Sequence, residues 1–169
     1  VDVTVGLSTS PANVRISHVL YSDSIPYTVH PGALTLSGGR FSGYLSELIV
    51  SLSGSGNEMP ASGRLDVASS TVQIGPSPNA ITVPTFLVGS KQLADGPNGG
   101  TTSEGLVRIP PAVTNLTVGT LVLGAHNSCR GRLDIGAASQ LRTLTITNAL
   151  YMGGGEAAIG YDNAGTFVN

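Results

Sequence analysis

The chain has 169 residues, of which 23 are glycine, 10 are proline and only 11% are charged. With a net charge of −2 and eight Lys plus Arg, it has no basic stripe to track a phosphate backbone, so nucleic acid is not an expected partner. No run reaches the roughly 20 apolar residues a membrane span needs. A 40% hydrophobic content argues against intrinsic disorder, and helical runs of Ala, Glu, Lys and Leu are missing.

In chain order, the first 45 residues hold short β-type runs, Val1–Val5, Asn13–Ile16 and Ala33–Leu36. Turns at Ser10-Pro11, Ile25-Pro26 and His30-Pro31-Gly32 separate them. Tyr21, Tyr27, Phe41 and Tyr44 place four of the eight aromatics here. This stretch shows no repeat, so residues 1–45 are expected to form an N-terminal β cap or small β-subdomain.

Three apolar patterns then recur in a constant order over residues 46–169. The first ends in a small residue: Leu48–Ser51, Phe86–Gly89, Leu121–Gly124 and Leu150–Gly153. The second is Arg64–Val67, Leu106–Ile109, Arg132–Ile135 and Glu156–Ile159. The third is Ile81–Val83, Leu116–Val118 and Leu144–Ile146, with Thr166–Val168 as an incomplete last copy. The first pattern returns every 29 to 38 residues, roughly the period of repeat architectures. Loops at Gly54–Ser62 and Ser90–Glu104 are long, while Gly153–Gly155 is a minimal turn. Constant strands with variable corners predict an all-β, right-handed parallel β-solenoid of three-faced coils, about three and a half of them. The chain stops inside the last coil, so either it is a fragment or its open end docks on another molecule.

Alternation sets the faces. In the second pattern Leu65, Val107 and Leu133 point inward. Asp66, Arg108 and Asp134 then stack in one outward charge ladder, beside a column of Arg64, Leu106, Arg132 and Glu156. Arg108 between two aspartates neutralises them, which favours an exposed salt ladder over a carboxylate site for glycan cleavage or metal. In the first pattern the outward residues Ile49, Leu87, Val122 and Tyr151 are apolar as well. A strand apolar on both sides is normally covered on both, so this column is a candidate self-association surface unless the N-terminal segment covers it. Thr82, Thr117 and Thr145 form a third outward column.

The segment Ala158–Val168, containing Ile159-Gly160-Tyr161, resembles the autotransporter-associated β-strand repeats. The run Leu121-Val122-Leu123-Gly124 leading to Gly131-Arg132-Leu133-Asp134-Ile135 is similar to the same family. The resemblance covers residues 86–169 and implies a structural or adhesive surface module. Fungal cell-wall adhesins with β-helical heads look similar at this level.

Chemistry-bearing motifs are scarce. His18, His30 and His126 lack the spacing of a metal site. Cys129 is the single cysteine, which excludes an internal disulfide. Asp95–Gly100 is an oxygen-rich turn region with the composition of a surface loop. Gly153–Gly155 has no following Lys or helix to cradle a phosphate. No cofactor or metal is expected. The function expected is a non-catalytic extracellular or cell-surface structural or adhesive module, self-associating into an oligomer or fibre. The alternatives are a glycan-binding or glycan-processing β-helix of tailspike or polysaccharide-lyase type, with a surface glycan as partner, and an ice-binding solenoid.

Overall fold

The computed structural model describes residues 1–18, 30–53, 61–91, 103–125, 129–153 and 156–160. Every regular element among them is a strand. They are β1 (Asp2–Val5), β2 (Ala12–His18), β3 (His30–Thr35), β4 (Arg40–Gly43), β5 (Leu45–Ser53), β6 (Ala61–Asp66) and β7 (Thr71–Ile74). The chain continues with β8 (Ala80–Lys91), β9 (Ser103–Arg108), β10 (Asn115–Leu123), β11 (Cys129–Asp134), β12 (Thr143–Met152) and β13 (Glu156–Gly160). The expected all-β class is what forms, with every ladder parallel. A lone antiparallel bridge joins Leu7 to Ser10.

The strands make two sheets. Five, in the order β13-β11-β9-β6-β3, form one; the other eight form the second, along β1-β4-β7-β8-β10-β12, with β5 also pairing β8 and β2 pairing β5. Parallel neighbours need a crossover, and here each crossover but the short one from β7 to β8 runs through a strand of the other sheet. By sequence the third and first patterns are separate strands. In the structure they fuse: Ile81–Val83 and Phe86–Gly89 are two halves of β8, joined through Pro84. The first half of β8 pairs with the first half of β10, and its second half pairs with both β5 and β10. Residues 1–45 supply β1 to β4 and the first residue of β5, and β1, β2 and β3 pair in parallel onto β4, β5 and β6. Both sheets therefore extend through the segment that shows no sequence repeat.

Register turns the alternation into columns. Val14, Leu48, Phe86, Leu121 and Leu150 lie side by side, as do Ile16, Val50, Val88, Leu123 and Met152. On the second sheet the inward column is Leu34, Leu65, Val107, Leu133 and Ile159. Apart from the exposed Leu150 and Met152, their side chains belong to one core, in which Phe86, Leu121 and Leu133 are fully buried. One register differs from expectation. Glu156 pairs with Arg130, and Ala158 takes the place beside Arg132. The last copy of the second pattern is thus shifted by two residues, which the strict period of two permits without moving Ile159 off the core face.

The small residue ending each first-pattern strand has a geometric cause. Ser17, Ser51, Gly89, Gly124 and Gly153 all have positive φ, between 54° and 114°. Each bends the strand at the same corner. Gly105 of β9 nestles into that corner: a Cβ there would lie 2.3 Å from Gly89 N and 2.6 Å from Val50 O. Only a residue without a side chain permits this approach of the two sheets.

Candidate functional site

The outer face of β6, β9 and β11 carries the charge ladder. Asp66 stands opposite Arg108, and Arg108 opposite Asp134. Arg108 Nη1 is 3.5 Å from Asp66 Oδ2, and its Nε is 3.5 Å from Asp134 Oδ2. That Nε is buried and makes no hydrogen bond, so this contact is charge pairing alone. Arg64 Nη2 donates to Asp66 Oδ2 at 2.6 Å, and Arg132 Nη2 sits 3.8 Å from Asp134 Oδ2. The Gly136 N–H also donates to Asp134 Oδ1, at 2.9 Å. The expectation of an exposed ladder needs correction at one end: Arg132 and Asp134 are buried, at 3% and 7% exposure. The cross-strand geometry places them outward from the core, yet the fold shields them from solvent.

These contacts set the chemistry available. Burial by itself pushes the Asp66 carboxyl up. The hydrogen bonds from Arg64 and the Ala68 N–H, with the charges of Arg64 and Arg108, outweigh it and hold the group below its ordinary range. A general acid needs the opposite shift. A cleft of about 220 Å³ opens over the same strands, bordered by Arg64, Glu104 and Arg132. Arg64 and Arg132 are already turned to the ladder aspartates. Among the described residues no three His, Cys, Asp or Glu cluster to hold a metal ion.

The apolar column is assembled in the order expected: Ile49 beside Leu87, Leu87 beside Val122, Val122 beside Tyr151, with Arg15 preceding Ile49. It is not an exposed stripe. Ile49 and Val122 are 4% and 3% exposed within the single chain, Leu87 is half-buried, and Tyr151 is open to solvent. Apart from Val1 and Leu7, the exposed large apolar side chains among the described residues lie along β12, where Leu144, Leu150, Tyr151 and Met152 are accessible. In the preceding strand their column partners Leu116, Leu121, Val122 and Leu123 are buried. Sequence reasoning missed this surface because Leu144, Leu150 and Met152 carry the inward pattern. Their exposure comes from the place of β12 at the end of the sheet, paired only with β10 among the described residues. Thr82, Thr117 and Thr145 do stand side by side.

His126, Asp95–Gly100, Tyr161 and Thr166–Val168 lie outside the described residues, as do the side chains of His18 and His30. Comparison with protein-family models, curated proteins and solved structures finds no match. Among the described residues no helix is long and apolar enough to cross a membrane.

Proposed function

We propose that this chain is a non-catalytic structural or adhesive module, a right-handed, three-faced parallel β-solenoid that acts outside the cell or at its surface and stacks end to end with copies of itself. The observation that carries the reading is the contrast within columns at the end of the sheet. Leu150, Tyr151 and Met152 are each 48% exposed, whereas Leu121, Val122 and Leu123 beside them are buried. One further parallel strand would cover them and would satisfy the N–H and C=O groups on the β12 edge that no described strand pairs. A second copy offers such a strand. At the other end of the same sheet β1 pairs only with β4 among the described residues, and its Val3 and Val5 are half-buried. A β12-to-β1 contact joins unlike surfaces and propagates as a fibre unless its rotation closes a ring. The extracellular setting is supported by the resemblance carried by residues 121–135. The non-catalytic reading is supported by the mutual neutralisation of the ladder carboxylates.

Replacing Leu150 and Met152 together by Lys tests the assembly. The variant is expected to stay folded by circular dichroism and to sediment as a monomer, while the native chain sediments as a multimer. A native chain that remains monomeric at high concentration refutes it. Incubation with common polysaccharides tests the absence of catalysis, and cleavage that is lost in Asp66→Asn or Asp134→Asn would overturn that half.

A further inference from the structure

The outer face of the first strands holds a groove of about 410 Å³, within the size range of small-molecule sites, roughly 300–1,000 Å³. Its floor is built by alternation. Val3, Val5, Phe41, Val72 and Ile74 turn to the core, which leaves Thr4, Ser42 and Gln73 facing out on neighbouring strands. The Thr4 and Ser42 hydroxyls are hydrogen-bonded at 3.1 Å, and strand spacing sets such polar groups about 4.8 Å apart. One wall is the Leu7–Ser10 turn, closed by two backbone hydrogen bonds of 3.0 Å. Tyr44 lines the groove at the junction of β4 and β5, and Arg40 lines it two residues before Ser42.

Arg40 is the cationic group of the groove. Arg15, Arg64, Arg108, Arg130 and Arg132 each pair with a carboxylate. Among the described residues Arg40 pairs with none; its side chain donates only to Gln73 Oε1. The nearby Asp2 carboxylate accepts from the Arg40 backbone N–H at 2.9 Å. An exposed guanidinium has five N–H donors in a planar fork suited to a carboxylate, and most of these are unused.

We infer that this groove binds a short acidic saccharide of the uronic acid class. The sugar carboxylate meets Arg40, the sugar hydroxyls exchange hydrogen bonds with Thr4, Ser42 and Gln73, and its C–H face packs on Leu7 and Tyr44. The inference deepens the adhesive reading by naming a ligand class, and it rests on that reading for the ligand being held and not cleaved.

The test is calorimetric titration of the full chain at low ionic strength with digalacturonate, with neutral lactose and sodium acetate as comparisons. Saturable binding of digalacturonate is expected, at least tenfold tighter than that of lactose or acetate. Arg40→Gln should weaken it at least tenfold. Ser42→Tyr, which fills the floor, should abolish it. Arg142→Gln, which removes an arginine outside the groove, should leave it unchanged. Arg40 is exposed, so its variant folds whether or not Ser42→Tyr does. The inference is overturned by absent binding, by lactose or acetate binding equally well, or by an undiminished Arg40→Gln. Disaccharide that binds and is recovered cleaved would end the non-catalytic reading and keep the groove. Disaccharide that does not bind ends the groove and leaves that reading standing.

Discussion

Gly105→Ala isolates the contact that sets the distance between the two sheets. The added methyl would lie 2.3 Å from Gly89 N, 2.6 Å from Val50 O and 2.8 Å from Val88 Cγ1, where ordinary contact begins at 3.4 Å. Two of these atoms are backbone in paired strands, so no side-chain rotation relieves the clash. Gly105 has no positive φ, which leaves steric overlap as the sole adverse effect. Overpacking of a rigid core costs about 1–3 kcal/mol, and overlap with backbone belongs at the upper end. Loss of unfolded-chain entropy returns about 0.4–1 kcal/mol. The net destabilisation is at least about 2 kcal/mol, or about 4–8 °C in melting temperature for a chain of this size. Gly38→Ala is the comparison. Nothing lies within 4 Å of its Cβ position, and only its φ of +73° is adverse, at about 1–2 kcal/mol before the same entropic offset. Thermal melts followed by circular dichroism at one fixed protein concentration decide the matter. A Gly105→Ala protein that melts with the native chain, or above Gly38→Ala, refutes the corner packing.

Two further outcomes are expected. Leu133→Asp places an unpaired carboxylate at a fully buried core position and should cost several kcal/mol, seen as loss of the cooperative melt. Because the Asp66 carboxyl is held below its ordinary range in the fold, its contribution to stability is present above the unfolded-state value of about 3.9 and is lost as pH falls through the lower folded value. Denaturant midpoints of native and Asp66→Asn protein should therefore converge on acidification below about pH 4; midpoints separated equally at pH 7 and pH 2 would contradict the pairing.

What the sequence determined by itself is the strand chemistry and much of the pairing. Alternation with a period of two assigns Leu65, Val107 and Leu133 to one inward column and Asp66, Arg108 and Asp134 to its outward neighbour, because successive residues of a strand must face opposite ways. The Gly-x-Leu or Gly-x-Val spacing at Gly32, Gly63, Gly105 and Gly131 was also present in the sequence, and it marks the close approach of the sheets. Gly32 carries that signal into the segment with no other visible repeat. The tertiary structure alone decided exposure. Ile49, Leu87, Val122 and Tyr151 occupy one column with one pattern, yet Ile49 and Val122 are buried and Tyr151 is open. Whether a side chain meets solvent depends on what the rest of the fold lays over it, and on whether its strand is internal or last in the sheet. The groove beside Arg40 arises in the same way: Thr4, Arg40, Ser42 and Gln73 lie up to 69 positions apart in the chain. Only the stacking of β1, β4 and β7 brings them to one surface.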